Sequence, residues 1–131
     1  MRISARTQYA LRAVTELAAA PPGPVPAEKI ATAQSIPRRF LDNILLQLRR
    51  AGLIHSQRGP EGGYWLARPA GEITLADVIT IVEGHPEQAE HGGYPGVAQP
   101  LAEVWSMLRE HEETLLTEIT FAQIVSSRFS A

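Results

Sequence analysis

The stretch RRFLDN sets Arg38, Arg39, Asp42 and Asn43 around an apolar pair, and further along Arg58 opens the run RGPEGG. Arginine can grip guanine O6 and N7 or a phosphate, asparagine can pair with adenine, and aspartate can accept from cytosine N4. Asp42 could equally hold a neighbouring arginine, and Leu46 shares the same side of a helix. The bland alternative is a set of charges that only solvates an exposed helix.

The second group, Arg58-Gly59-Pro60-Glu61-Gly62-Gly63, also has two readings. Glycines beside a positive charge can cradle a phosphate, and they can form the tip of a hairpin. A phosphate loop requires a Gly-Lys-Ser/Thr ending and a following helix, and neither is present; the G-x-G-x-x-G spacing is absent as well. Residues 53–56 and 64–67 on either side are strand-like, rich in aliphatic and aromatic types. The hairpin reading therefore prevails. Gly59 and Gly62 let the chain reverse, and Arg58 sits near the tip, able to enter a narrow A·T-rich minor groove. Tyr64 and Trp65 are assigned to the hairpin core rather than to base stacking.

These residues need elements to hold them. Ser4 can cap a first helix whose apolar face is Tyr9, Ala10, Ala13, Val14, Leu17 and Ala18. The prolines of PPGP end it. A short helix fits Ala27 to Gln34, and Ser35-Ile36-Pro37 breaks the chain where glycine would be favoured for its positive φ. Pro37 suits the first position of a third helix running to Arg50, with Leu41, Ile44, Leu45 and Leu48 as its buried stripe and Gly52 closing it. Two short helices, a tight break and a longer helix make a helix-turn-helix; a hairpin directly after it is a wing.

Beyond the wing, Thr74 and Asp77 form a capping pair for a helix ending at Gly84. A polar loop follows to Gln99. Pro100 starts a long helix with Leu101, Val104, Trp105, Leu108, Leu115, Leu116 and Ile119 on one side, and Thr120 with Gln123 caps a short closing helix. The fold class expected is mainly α with a small β-hairpin: a winged helix-turn-helix domain over 1–83, a sensor-type loop over 84–99, and a dimerisation helix with a C-terminal arm over 100–131.

The chain has 131 residues, 44% of them hydrophobic and 20% charged, which fits one globular domain with an appended arm. Its apolar runs are far short of a membrane span, and Met1 opens onto polar residues, so a cytoplasmic protein without membrane contact is expected. The net charge of −2 hides an asymmetry: residues 1–68 carry ten Lys/Arg against four Asp/Glu, and residues 69–131 carry two against ten. A basic half suits a polyanion, and the acidic half suits some other task. No Ser/His/Asp or paired-carboxylate constellation stands out, and Glu110-His111-Glu112-Glu113 reads as a solvated helix side. The chain is not expected to be an enzyme.

With these elements in place the chain resembles the Rrf2 family of bacterial transcription regulators. Tyr9-Ala10-Leu11 and Leu48-Arg49-Arg50-Ala51-Gly52-Leu53-Ile54 carry part of the likeness. More specific are Arg58-Gly59-Pro60-x-Gly62-Gly63-Tyr64-x-Leu66 and Ile73-Thr74-Leu75-Ala76-Asp77-Val78-Ile79. The likeness covers residues 1–84 and resumes near Trp105 and Ile119-Thr120. It implies double-stranded DNA as partner, a homodimer built on the long helix and minor-groove insertion by Arg58. Repression is the expected regulatory output, with activation the alternative.

Many family members hold an iron–sulfur cluster on three cysteines in the loop that corresponds to 84–99. This chain has no cysteine, and Gln99 stands where the last would be expected. Thiolates are the usual cluster ligands, so no cofactor and no metal site are expected. His85, His91, Glu87 and Glu90 match no established ligand spacing. Family members poor in cysteine are associated with small-molecule effectors or a metabolic enzyme, cysteine synthase among them. Gln8 and Arg12 on the first helix, with His85 and His91 in the loop, are the candidate effector residues. Two alternatives stay open. One is a winged-helix protein-interaction module that regulates a metabolic enzyme. The other is an engineered cysteine-free form of an iron–sulfur sensor, with Ala89 and Ala98 as the positions to inspect.

Overall fold

The computed structural model describes residues 2–84 and 93–128. Helix α1 spans Ala5–Ala19, and the Ser4 hydroxyl accepts from the Thr7 N–H to cap it. Its spacing of three and four buries Ala10, Ala13, Val14 and Leu17, while Tyr9, Leu11 and Ala18 pack at the edge of the core. Helix α2, Ala27–Gln34, buries Ile30 and Ala31. Ser35 then takes the left-handed conformation at φ 52°, and the Ser35 and Ile36 N–H groups both donate to the Ala31 carbonyl. The turn thus has the geometry expected of it, occupied by a residue with a Cβ.

Helix α3, Arg38–Arg50, begins one residue later than expected, since Pro37 is its N-cap rather than its first helical residue. The difference is slight, because a residue without an N–H suits either position. Leu41, Ile44, Leu45 and Leu48 have no exposed surface at all. Burial of such side chains is worth about 1.5–3 kcal/mol each, which makes this stripe a principal anchor of the domain.

Strands β1 (Ile54–Gln57) and β2 (Gly63–Leu66) pair antiparallel with Ile54 opposite Leu66 and Gln57 opposite Gly63. Each strand lies one residue closer to the tip than expected, and the Ala67 N–H still reaches the Leu53 carbonyl at 3.0 Å. Val25, in the segment before α2, exchanges two backbone hydrogen bonds of 2.9 Å with Tyr64. The wing is thereby tied, through the second residue of β2, to the segment that leads into the helix-turn-helix. Tyr64 and Leu66 pack against the core, whereas Trp65 does not. Trp65 is half-buried with its ring centroid 5.9 Å from that of His55, its cross-strand partner. Alternation along β2 sends it to the other side of the hairpin, which corrects its assignment to the core.

Helix α4, Leu75–Glu83, carries the full capping box of Thr74 and Asp77 and ends at Gly84 with φ 79°. After a short turn at Gly96–Ala98 comes α5, Leu101–Glu118, N-capped by Pro100. It packs against α4 yet buries none of its residues. Helix α6, Phe121–Ser126, has the second capping box, Thr120 with Gln123, and packs on α1. Phe121 is fully buried in the same core as α1 and α3. Backbone bonds from Leu75 to Ile119 and from Phe121 to Ile73 join the end of the chain to the start of α4.

Candidate nucleic-acid interface

The side of α3 opposite the leucine stripe presents Arg38, Arg39, Asp42, Asn43, Arg49 and Arg50, all exposed. That follows from the helical period: with 41, 44, 45 and 48 turned inward, these positions have only solvent to face. Arg38 and Asp42 form an ion pair of 3.4 Å one turn apart, with both side chains more than half exposed. Of the two sequence-level options for Asp42, the contact present is the one with a neighbouring arginine. Such a pair contributes at most about 1 kcal/mol and yields readily to a phosphate or base. The Asn43 side-chain amide donates to the Arg39 carbonyl at 3.1 Å, a local bond that an adenine edge could replace. Leu46 falls within this face by the helical period and is half-buried.

Phe40 was not singled out in the sequence, and it matters here. It is 39% exposed, the Arg39 guanidinium lies 5.0 Å from its ring centroid, and its ring is 6.0 Å from that of Tyr9. An aromatic residue between Arg39 and Leu41 holds the arginine against the helix by cation–π attraction. The signal was visible only as one large apolar residue just outside the stripe.

At the wing, the Gly62 N–H donates to the Gly59 carbonyl at 2.9 Å, closing a turn with Pro60 and Glu61 at its centre. Gly59 has φ 109°, a conformation that side chains rarely adopt. At Gly62 an added Cβ would run into the Gln57 carbonyl oxygen. Both glycines are therefore required by backbone geometry, and Arg58 is left exposed at the tip. Arg49 donates to the Ser56 hydroxyl at 3.4 Å, linking α3 to β1.

Among the effector candidates, Gln8 is exposed on α1, and Arg12 is half-buried with its guanidinium 5.0 Å from the Tyr9 ring centroid. The Arg12 Nε is the one buried side-chain polar atom among the described residues without a hydrogen-bond partner. His85 and His91, like Glu87, Glu90 and Ala89, lie outside the described residues. Ala98 closes the turn before α5. Past the loop, the Trp105 indole N–H donates to the Tyr94 hydroxyl at 2.5 Å. Near its start, the Ser4 N–H donates to the Glu83 carboxylate at 2.9 Å. That bond, and then the hydroxyls of Ser4 and Thr7, hold the Glu83 carboxyl below its ordinary range.

The α5 stripe remains open: Leu101, Val104, Trp105, Leu108 and Leu115 are 37–54% exposed, and Met107, beside it, is 68% exposed. Leu116 and Ile119 are half-buried. No helix among the described residues is long and apolar enough to cross a membrane.

A family model described as "Rrf2: Iron-dependent Transcriptional regulator" matches residues 3–127. A Mycobacterium tuberculosis protein named as an HTH-type transcriptional regulator, Rv1287, is 42% identical over 130 residues, which are 95% of this chain and 81% of the relative. The HTH-type transcriptional regulator IscR of Serratia proteamaculans is 33% identical over 98% of this chain and 81% of its own length. Among solved structures, CymR (YrzC), the global cysteine regulator of B. subtilis, superposes with a TM-score of 0.85 at 30% identity, covering 97% of this chain and 98% of its own. IscR of T. potens gives 0.78 at 29% identity, covering 98% of this chain and 89% of its own. Iron in the family's description raises the question of ligands. The sequence supplies no thiolate, the donor that iron–sulfur clusters take. Among the described residues no group of three or more His, Asp or Glu is placed to hold a metal. The donor set does not fit a cluster.

Proposed function

We propose that this chain, which belongs to the Rrf2 family of transcriptional regulators, binds a roughly palindromic DNA site as a homodimer, with α3 in the major groove and the wing at the flanking minor groove. The observation that carries this reading is the pairing of two cationic features on successive elements. The outer side of α3 bears four exposed arginines, and the hairpin that follows holds a fifth, Arg58, at a tip whose two glycines are dictated by backbone geometry. Phosphate contacts from such arginines give salt-dependent affinity, and Arg39 with Asn43 supplies the base-edge donors that discriminate sequence.

The dimer rests on α5. An apolar stripe this open on an 18-residue helix finds its cover in the same stripe of a second copy, the usual outcome of two-fold assembly. Two winged helices on one axis then address half-sites one DNA turn, or a multiple of it, apart. Occupancy of a promoter by such a dimer represses. Residues 84–99 join the DNA-reading unit to α5, and an effector that binds this loop differently in two dimer arrangements changes DNA affinity. With no thiolates in the chain, that effector is a small molecule or a protein rather than a cluster.

Selection of binding sequences from random DNA by the full chain tests the core of this reading. The expected result is an inverted repeat bound with steep salt dependence. Recovery of no sequence preference, or binding indifferent to salt, would overturn it. Protein purified without oxygen should lack visible iron–sulfur absorbance.

A further inference from the structure

The Gln47 side chain ties the reading helix to two other helices at once. It lies on the flank of α3, half-buried, off the exposed arginine face. Its Oε1 accepts from Arg6 Nη2 on α1 at 2.7 Å, and its Nε2 donates to the Ile81 carbonyl on α4 at 2.8 Å. The amide orientation is forced, because a guanidinium can only donate and a carbonyl can only accept. A glutamate here would lose the donor and a lysine the acceptor. The same end of α4 is held a second time, by the Ser4 N–H on the Glu83 carboxylate. Helix α4 in turn packs against α5.

We infer that Gln47 is a positioning residue, locking the DNA-reading helix to the last turns of α4 and so to the frame set by α5. The inference rests on the DNA-reading and dimer roles proposed above. Gln47 touches no base in this scheme; it sets where α3 stands relative to the two-fold axis, and hence the half-site spacing that the dimer accepts. The position suits that task. Residue 47 is one turn beyond Asn43, so a shift at Gln47 is transmitted along a rigid helix to the reading residues. The carbonyl it holds belongs to Ile81, three residues before the loop that begins at Gly84, so strain applied at the loop reaches the same bond.

The test uses the full chain and the inverted repeat it selects. Affinity is measured on that repeat, on versions with the half-sites one base pair closer or further apart, and on an isolated half-site. Wild-type protein should bind the selected spacing well above the altered ones. Gln47→Met, which keeps the bulk and removes both bonds, should lose about tenfold on the selected spacing, the scale of one or two net hydrogen bonds. It should lose little on the altered spacings or the half-site, so that the spacing preference flattens. Gln47→Glu, which keeps an acceptor for Arg6 but cannot donate to Ile81, should flatten it as well, and it serves alone if the methionine variant melts below the assay temperature. An equal loss at all spacings would make Gln47 a plain fold-stabilising residue, and no loss would make its bonds incidental; either overturns the inference. If wild-type protein selects no repeat, the proposed function falls with it. If wild type shows a spacing preference and both variants keep it, only the role of Gln47 falls.

Discussion

Helices α3 and α5 carry much the same apolar pattern and meet opposite fates. In α3, Leu41, Ile44, Leu45 and Leu48 are wholly buried among α1, α2 and the wing. In α5, Leu101, Val104, Trp105, Leu108 and Leu115 recur at comparable spacing and none is buried. Their outer sides differ too: α3 turns arginines to solvent, whereas α5 turns Glu103, Glu110 and Glu113. A leucine stripe therefore states that a helix must be covered, and says nothing about whether its own chain supplies the cover.

The largest effect should come from Leu45→Ala. Removing a fully buried leucine costs about 2–5 kcal/mol, measured as a lowered urea midpoint, because the cavity stays partly open. Leu108→Ala, on a residue 54% exposed, should leave the chain's fold nearly untouched at low concentration. If the two substitutions cost the same in dilute protein, the contrast between the helices collapses. Next in size, Leu108→Asp should convert the proposed dimer to monomer in light scattering and weaken operator binding by at least about 100-fold, since half-site binding loses its linked partner.

The outer faces give the third comparison. Arg39→Ala or Asn43→Ala should cost about 1–3 kcal/mol on the best DNA site and relax preference at particular bases. Glu110→Gln on α5 should leave that affinity unchanged or slightly improved. Arg58→Ala should weaken binding chiefly where the flank is A·T-rich, and an equal loss on G·C-rich flanks would reduce Arg58 to a phosphate contact.

A fourth prediction concerns the turn that aims α3. Ser35 holds a left-handed conformation that costs a residue with a Cβ roughly 1 kcal/mol, so Ser35→Gly should raise stability by up to that amount. The turn has no counterpart in α5, and DNA affinity should not fall. The smallest effect lies at the joint between α1 and α4. The Glu83 carboxyl is held below its ordinary value by the Ser4 N–H. Its contribution is therefore fully present above the unfolded carboxyl value and is lost as pH falls through the lowered one. Melting temperatures of wild type and Glu83→Gln should differ slightly near neutral pH and converge in acid. The group is exposed, so the difference is small.

Much of this architecture was legible in the residue order. Capping pairs such as Thr74 with Asp77 are local, with donor and acceptor three residues apart, and period and breakers placed α1 to α5 to within about a residue. The end of α6 and the short turns at 70–72 and 96–98 carried no such signal. The wing followed from two glycines with backbone reasons to be there. Trp65 was misplaced because it was assigned to the core together with its neighbour Tyr64, whereas two-residue alternation sends adjacent side chains to opposite sides of a strand. Phe40 and Gln47 escaped notice for a related reason: each stands just off the leucine stripe, where pattern alone assigns no partner.

By itself, the order of residues determined the helix-turn-helix, the hairpin and the cationic character of the first half, because these depend on interactions within a few positions. Tertiary structure decided the rest: that Phe121, from the end of the chain, completes the core beside α1, that Val25 binds the wing, and that Gln47 bridges Arg6 and Ile81. Those contacts join residues 34 or more positions apart. They exist because buried polar groups and apolar surfaces must find partners wherever the packed helices bring them, and sequence distance carries no record of that meeting.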